Sequence, residues 1–375
     1  MNVGILTLSI HGNYGGVLQN YALNAVLRKN GINALTIEYK KLKHQRLKIK
    51  VFRVLRNIGG RYIIKSLSYY NPKFAFLYHI RTFADRYIPL TKVLKTKTEL
   101  EEISKKYDAI IVGSDQVWRY VFIYDDVATY FLDFVNNAST KRIAYAASIG
   151  VDNNEYPIKD LEVIRELYPR FDAVSVREKS SVELINSLWA EYPKAEHVLD
   201  PTMLLEADDY RKIIHKAVNV KHAGIGMLFY YVLDMTEDKM SNILKLSAEK
   251  NLQSYTIYSS NGVELQKILR AGFTQEIEQW LSCINDADFV VTDSFHGCVF
   301  CILFSKQFVV YGNKERGQSR FTSLLHLFGL EDRIIDVNQS TDEITALPMI
   351  DYEKVKSILR MEREKSLNFL FGQLK

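Results

Sequence analysis

The fold is decided by a stretch near the end of the chain, DFVVTDSFHGCVFCILF, residues 288–304. Asp288–Thr292 is a short apolar run typical of a strand, and Cys298–Phe304 reads as a buried helix. Asp293–Gly297 joins them. A buried strand that turns at once into a buried helix is typical of a parallel sheet covered on both faces. The sequence therefore predicts an α/β fold with this turn at the carboxyl edge of a sheet, where ligands bind in such folds.

The turn itself carries groups suited to an anion and to proton transfer. Ser294 is a good N-cap residue, and the free N–H groups that follow it, Gly297 included, favour a negative charge. His296 lies in the first turn, where an imidazole binds an anion or moves a proton near neutral pH. A purely structural histidine is the alternative. We predict that His296 is catalytic and that Ser294 and Gly297 bind an anionic ligand.

The same alternation of strand and helix extends outward in both directions. Predicted strands of the first half are Asn2–Leu8, Ala34–Tyr39, Asp108–Val112, Arg142–Ala147, Ala173–Val176 and Glu196–Leu199. Those of the second half are Ala223–Val232, Ser254–Tyr258, Asp288–Thr292 and Phe308–Tyr311. Asp200-Pro201 between the halves is a plausible hinge. The pattern predicts two Rossmann-like, doubly wound domains, 1–200 and 201–350, facing across a cleft, with a final helix in 351–375 packing back on the first domain.

Two further strand ends carry polar side chains. Asp115 follows a buried strand, where its carboxylate could orient or deprotonate a sugar hydroxyl; capping of the next helix is the alternative. Arg177 follows another strand, and its planar guanidinium group suits a carboxylate or a phosphate. A salt bridge of Arg177 with Glu178 or another acid remains open.

Two loops complete the set of candidate residues. The glycine-rich turn after the first strand offers Asn13, Gly15 and Gln19 for ligand contact, although a structural turn explains it equally well. Its spacing is not GxGxxG, so a dinucleotide is not indicated. After the strand at 308–311, Arg316 and Arg320 suit a phosphate or a carboxylate, unless the loop is simply solvated.

The basic residues are concentrated in one segment of the chain. The net charge is +5, and residues 40–84 contain twelve Lys or Arg and no acid. Within them an amphipathic helical pattern predicts peripheral contact with an anionic membrane through residues 40–65, or a solvated helix packed on its own domain. No nucleic-acid-binding motif accompanies this charge, so no nucleic-acid partner is predicted.

Three cysteines and no apparent signal peptide or membrane-spanning run predict a cytoplasmic protein, at the inner face of the membrane if the basic segment binds there. The cysteines at 298 and 301 read as buried apolar residues. No histidine has metal-ligand spacing, so neither a metal nor a cofactor is predicted.

Taken together, these segments resemble the polysaccharide pyruvyl transferase family over nearly the whole chain. The resemblance is carried by GNYGGVLQNYAL (12–23), VGSDQVW (112–118), YAASIG (145–150), SVREKSS (175–181), VLDPTMLL (198–205), TDSFHG (292–297) and SRFTSLL (319–325). It implies two Rossmann-like domains arranged as in GT-B glycosyltransferases. It also implies phosphoenolpyruvate as donor and a pyruvate ketal placed on a sugar of a surface polysaccharide or its lipid-linked precursor.

One position departs from the family pattern. Several members have an arginine within the Ser-x-x-His segment, where this chain has Ser294-Phe295-His296. Arg177, Arg316 and Arg320 are the candidates to supply the positive charge for the donor. The acceptor contacts are then expected from Asn13, Gly15 and Gln19 of the glycine-rich turn.

Two rival functions remain open at this point. The same architecture would serve a GT-B glycosyltransferase that uses a nucleotide sugar. From another class, the chain could be a non-catalytic carbohydrate- or anion-binding protein of a polysaccharide assembly complex. Convergence of Asp115, Arg177 and His296 on one site would favour an enzyme.

Overall fold

The computed structural model describes residues 1–10, 13–41, 72–189, 192–217, 220, 224–257, 276–312 and 318–375. Arg316 and nearly all of the basic segment 40–65 lie outside the described residues. The predictions of donor binding by Arg316 and of membrane contact through 40–65 therefore stay predictions.

The first half of the chain forms a six-stranded parallel sheet. Its strands are β1 (Asn2–Leu6), β2 (Asn33–Thr36), β3 (Ala109–Val112), β4 (Lys141–Ala147), β5 (Ala173–Val176) and β6 (Ala195–His197). They lie in the order β2-β1-β3-β4-β5-β6. The helices of this half are α1 (Tyr14–Lys29), α2 (Pro72–Tyr87), α3 (Lys97–Ser104), α4 (Tyr120–Ile123), α5 (Val127–Tyr130), α6 (Ile158–Leu167) and α7 (Lys179–Leu188).

The second half forms a five-stranded parallel sheet. Its strands are β7 (Met227–Tyr231), β8 (Gln253–Tyr255), β9 (Phe289–Thr292), β10 (Gln307–Tyr311) and β11 (Ile334–Ile335). They lie in the order β11-β10-β9-β7-β8. Its helices are α8 (Ala207–Lys216), α9 (Glu237–Glu249), α10 (Ile277–Asp286), α11 (Phe295–Leu303), α12 (Gln318–Phe328), α13 (Thr341–Thr345) and α14 (Tyr352–Gln373).

Both sheets are wound in the same way. In each, the first strand of the half lies between the second and the third, so the winding direction reverses between β1 and β3 and between β7 and β9. Ligands bind in the crevice at the carboxyl ends of the strands at such a reversal. The predicted α/β architecture with two parallel sheets is confirmed, and the two crevices fix where the site is expected.

Element boundaries follow local chemistry. β5 and the core of β9 match the predicted strands because their residues are buried on both faces. Helix α1 begins at Tyr14, because the Asn13 side chain caps it by accepting the N–H of Gly16. β1 ends at Leu6 and not at the predicted Leu8, so the following residues leave the sheet at its carboxyl edge.

Aromatic packing joins the two halves close to that edge. Tyr14, at the start of α1, lies 5.6 Å from Trp280 and 6.4 Å from Tyr231, measured between ring centroids. One apolar core runs without a break from the first sheet to the second. Because this junction is apolar, it fixes the first turn of α1 against the second half of the chain.

Helix α14 also links the two halves. The ring of Phe369 lies 6.3 Å from that of Tyr145 in β4, and the Ser366 hydroxyl accepts the N–H of Leu199 at 2.9 Å. Within the described residues, no helix is both long enough and apolar enough to cross a membrane.

Candidate active site

Asp115 lies in the turn that follows β3 and has a strained backbone conformation. Its φ of 65° lies in the left-handed region, which costs a residue other than glycine about 1 kcal/mol or more. A parallel β-bridge between Asp115 and Ala147, the last residue of β4, holds this turn in place. Its carboxylate is thereby aimed across the carboxyl edge of the sheet, where Oδ1 accepts a hydrogen bond from Arg177 Nη2 at 3.1 Å.

Arg177, at the end of β5, is surrounded by three carboxylates. Besides Asp115, it donates from Nη1 to Asp200 Oδ2 at 2.6 Å and from Nε to Glu178 Oε1 at 3.3 Å. Only 5% of the residue is exposed. Burial alone would lower the pKa of Arg177, but the three acids raise it above its ordinary value, so the guanidinium is charged.

Asp200 links the two halves of the site. It follows β6 and caps the short 3-10 helix Pro201–Leu204, accepting the N–H of Thr202 at 3.0 Å and its hydroxyl at 2.7 Å. Burial would raise the pKa of this carboxyl, but His296, Arg177 and Thr202 hold it well below the usual range. Asp200 is therefore a buried, permanently negative group between a strand end of the first sheet and a helix of the second half.

His296 lies in the first turn of α11, as the sequence predicts. The Ser294 hydroxyl caps this helix by accepting the N–H of Gly297 at 3.3 Å. The imidazole is 7% exposed, and its Nε2 lies 3.7 Å from Asp200 Oδ2, beyond hydrogen-bond distance. Nε2 has no hydrogen-bond partner among the described residues. Buried polar atoms without a hydrogen-bond partner are uncommon in folded proteins.

Gly15 determines how closely the two halves approach at this point. A Cβ atom on Gly15 would overlap the Nδ1 and Cγ atoms of His296, so only glycine leaves room for the imidazole. On the neighbouring Gly16, a Cβ atom would come within 3.1 Å of Asp115 Oδ2. The first turns of α1 and α11 thus meet at the Gly15–His296 contact. Both turns bring N–H groups and a positive partial charge to one place.

Phe295 occupies the position next to His296 and lies between two guanidinium groups. Arg177 Cζ is 4.6 Å from the centre of its ring and Arg320 Cζ is 5.8 Å from it. Both distances are within the range of cation–π attraction. Burial and the nearby charge of Arg177 lower the pKa of Arg320 to about 10, so Arg320 remains charged at neutral pH. The aromatic side chain thus packs one arginine from each half of the chain against the histidine turn.

A cavity of about 390 Å³ opens at the winding reversal of the first sheet. It is lined by Thr7, Leu8, Ser9, Ile10, Asn13, Gly16, Val17, Gln19, Asp115, Gln116, Phe122 and Tyr130. Its wall therefore combines hydroxyl, amide and carboxylate groups with two aromatic rings, and among the described lining residues there is no lysine or arginine. This composition suits a neutral polar ligand more than an anion.

Gln19, a predicted acceptor contact, is fully engaged within the protein. Its Nε2 donates to Thr7 Oγ1 at 3.0 Å and to the carbonyl of Gly16 at 2.9 Å, while its Oε1 accepts the N–H of Ser114 at 3.0 Å. The side chain is 1% exposed. Gln19 therefore stabilises the wall of the cavity. Its binding of an acceptor stays a prediction.

The structure brings most of the predicted site residues together. Those that lie around the Gly15–His296 contact are Asn13, Gly15, Asp115, Arg177, Ser294, His296, Gly297 and Arg320. Asp200 and Glu178 were not predicted as site residues, although Asp200 follows a strand end directly, as Asp115 and Arg177 do. In the part of the chain that the structure describes, no group of three His, Cys, Asp or Glu side chains could hold a metal ion.

Chemically, the arrangement combines an imidazole, a neighbouring carboxylate, a region of positive charge and a polar cavity. The imidazole of His296 lies beside the Asp200 carboxylate, with 3.7 Å between Nε2 and Oδ2. Arg320 and two helix N-termini offer positive charge on one side, and the 390 Å³ cavity offers hydroxyl and amide groups on the other. Such a site suits transfer of an acidic group to a polar acceptor.

The fold places the chain among proteins shaped like glycosyltransferases. It is similar to the glycotransferase of kitacinnamycin (TM-score 0.50, 9% identity, 100% of this chain and 99% of that one). It is also similar to a glycosyltransferase of Rickettsia africae (0.50, 11%, 100% and 99%) and to Anabaena HepE in complex with UDP (0.50, 12%, 98% and 94%). At these identities the likeness shows the fold alone.

The family is shown by the sequence itself. The profile of the polysaccharide pyruvyl transferase family matches residues 13–315. The chain belongs to the polysaccharide pyruvyl transferase family, a family of transferase enzymes, and the resemblance drawn from its motifs is confirmed. A search of curated protein sequences finds no significant match.

Proposed function

We propose that this protein transfers a pyruvyl group from phosphoenolpyruvate to a saccharide, forming a pyruvate ketal, with His296 as the proton-transfer group. The observation that carries the proposal is the state of His296 Nε2. It is buried, has no hydrogen-bond partner among the described residues and faces the Asp200 carboxylate at 3.7 Å. A residue of this family with such an atom at a meeting point of two helix N-termini is well suited to acid–base chemistry on an anion.

The donor is proposed to bind on the Arg320 side of the histidine. Phosphoenolpyruvate carries a phosphate and a carboxylate, so it requires two separate groups of donors. Arg320 supplies one, with Arg316 as a further predicted contact, and the capped first turn of α11 at Ser294 and Gly297 supplies the other.

Arg177 is assigned a different part within this proposal. It and Arg320 contribute two positive charges to the cluster, whereas Asp115, Glu178 and Asp200 contribute three negative ones. An anion bound directly at Arg177 would have to compete with these carboxylates. Arg177 therefore acts mainly as a positioning residue that holds Asp115 and Asp200 in place.

The proposed reaction proceeds by proton addition and two attacks on one carbon. His296 delivers a proton to the methylene carbon of phosphoenolpyruvate, which makes the adjacent carbon electrophilic. One sugar hydroxyl attacks that carbon, the bond to the phosphate oxygen breaks, and a second hydroxyl of the same sugar closes the ketal. One of the two hydroxyl protons replaces the proton that was added to the methylene carbon, and the other protonates the released phosphate. Atoms and charge therefore balance.

The acceptor is proposed to enter the 390 Å³ cavity. Asp115 has one oxygen fixed by Arg177, and its other oxygen, Oδ2, lies near Gly16 at the cavity wall. From there it is suited to orient a hydroxyl and accept its proton. Asn13 and the backbone of Gly15 are the further acceptor contacts. The acceptor is free or lipid-linked, and the reaction is assigned to the cytoplasm, with membrane contact through 40–65 as a prediction.

A ligand comparison by thermal shift tests the proposal. Phosphoenolpyruvate should raise the melting temperature in a concentration-dependent way, because a ligand that binds only the folded state stabilises it by RT ln(1 + [L]/Kd). A panel of nucleotide sugars should have no comparable effect. Stabilisation by a nucleotide sugar alone would replace the proposal with a glycosyltransferase, and stabilisation by saccharides without turnover would indicate a carbohydrate-binding protein.

A further inference from the structure

Helix α4 exposes an apolar surface beside the acceptor cavity. Val121 is 49% exposed, Phe122 50% and Tyr124, just after the helix, 55%. Single exposed apolar residues are ordinary, but a cluster at the rim of a pocket marks a binding surface. Arg119 lies 5.8 Å from the centre of the Phe122 ring and helps to hold the ring in place.

The two aromatic rings belong to two neighbouring hollows. Phe122 lines the 390 Å³ cavity that contains Asp115. Tyr124 lines a second, more open hollow of about 570 Å³. The short helix is therefore a ridge over which a ligand anchored in the cavity would have to pass on its way to the second hollow.

Charges on both sides of this ridge favour a neutral ligand. The second hollow is lined by three lysines and four aspartates, and two of the lysines are paired: Lys41 with Asp126 at 3.2 Å and Lys97 with Asp133 at 2.7 Å. An anionic membrane surface would need cations that are available to it. A saccharide chain requires only hydroxyl-binding groups and apolar faces, and both hollows supply them.

We propose that Phe122 and Tyr124 form an aromatic platform for the sugar units next to the one in the cavity, so that the preferred acceptor is a saccharide of two or more units. A cavity of 390 Å³ is at the small end of the ~300–1,000 Å³ range of small-molecule sites, so a longer saccharide that is anchored there extends beyond it. The next unit therefore meets the rim, where the apolar face of a sugar ring removes the exposed aromatic surface from water. The inference rests on the proposed function for the identity of the reaction.

Acceptor length is the variable that tests this platform. Phosphate release from phosphoenolpyruvate is measured with mono-, di- and tetrasaccharides of glucose, galactose, mannose and N-acetylglucosamine. The protein should show a kcat/KM at least about tenfold higher for its best tetrasaccharide than for the matching monosaccharide. Phe122→Ala should reduce that ratio about five- to tenfold, the loss expected for one aromatic contact. Phe122→Trp should retain it.

The matched control is Leu244→Ala. Leu244 is 52% exposed on α9 and lines neither of the two hollows, so its replacement should leave the length ratio as it is. Absence of a length preference, or a preference that survives Phe122→Ala, would overturn the proposal.

A binding measurement separates failure of the platform from failure of the proposed reaction. In Phe122→Trp, the added indole is exposed, and its emission should shift when a tetrasaccharide of the panel is added, even if phosphoenolpyruvate is not turned over at all. No shift with any tetrasaccharide would overturn the platform whatever the chemistry. A second result would also overturn the platform: Phe122→Ala loses sedimentation with phosphatidylserine vesicles, and the saccharides leave the Trp emission of Phe122→Trp unchanged. The surface would then be a membrane contact.

Discussion

Gly15 packs its Cα against the Nδ1 edge of the His296 imidazole, although the two residues come from opposite halves of the chain. This contact joins the first turns of α1 and α11 and leaves the other ring nitrogen, Nε2, facing Asp200. The position of the proposed catalytic histidine therefore depends on a residue without a side chain in the other half of the molecule.

Replacing Gly15 by alanine should displace the imidazole. The new Cβ would overlap the ring, and overpacking of this kind costs about 1–3 kcal/mol. We expect kcat to fall by at least about tenfold and the melting temperature to drop. Gly372→Ala is the control, because a Cβ atom there meets nothing within 4 Å.

A double variant tests whether the effect passes through the histidine. In a His296→Ala background the clash is gone, so Gly15→Ala should cost little further stability. Equal destabilisation by Gly15→Ala in both backgrounds would show that the contact is not responsible.

Replacing Arg177 by methionine should destabilise the fold as well as abolish activity. Asp115, Glu178 and Asp200 would lose their shared cation in a buried site, and loss of one partner of a buried pair costs about 3–5 kcal/mol. Chemical denaturation measures the free energy of unfolding. A stability equal to that of the unaltered protein, together with a raised KM for phosphoenolpyruvate, would instead identify Arg177 as a direct donor ligand.

Asp200→Asn should reduce kcat, because a neutral amide would replace the carboxylate that lies 3.7 Å from His296 Nε2. The rate of phosphate release at saturating phosphoenolpyruvate measures the effect. An unchanged kcat would limit Asp200 to a structural role.

The stability of the same variant has its own pH dependence. Because the folded protein holds the pKa of Asp200 below the ordinary value of ~3.9, its contribution is complete above that value and is lost as the pH falls. The unaltered protein should therefore lose more stability than Asp200→Asn on acidification from about pH 5. Equal acid sensitivity of the two proteins would contradict the depressed pKa.

Arg320→Ala should weaken donor binding more than it changes the fold. Arg320 packs on Phe295 from the second half of the chain and is the described cation assigned to the donor. We expect the KM for phosphoenolpyruvate to rise about tenfold or more, since charge-assisted hydrogen bonds contribute about 1.5–3 kcal/mol. Arg360→Ala, an exposed arginine of α14, is the control. An unchanged KM would remove Arg320 from the donor site.

The fold could be predicted because its signals are local. The buried strand Ala173–Val176 and the capped turn at Ser294 are fixed by apolar runs and by helix capping, and both are found as predicted. The cysteines at 298 and 301 are likewise buried in α11, as predicted.

The partners of the site residues could not be predicted, because they come from distant parts of the chain. Arg177 suits a phosphate by residue type alone, but its neighbours in space are Asp115 and Asp200, which makes the alternative of a salt bridge the observed one. From the sequence, the Asp200-Pro201 pair indicates only a hinge. Phe295 departs from the family pattern, and its packing between two arginines depends on tertiary structure.

The most direct measurement is turnover of phosphoenolpyruvate in D2O by the unaltered protein and by His296→Ala, with the saccharide panel as acceptors and His215→Ala as the exposed-histidine control. The unaltered protein and the control should release phosphate and place one deuterium in the methyl group of the ketal, as detected by NMR. His296→Ala should remain folded and lose about 10²–10⁴-fold in rate, the usual contribution of a general acid–base group. A turnover rate of His296→Ala within about threefold of the rate of the unaltered protein would contradict the assignment of proton transfer to His296.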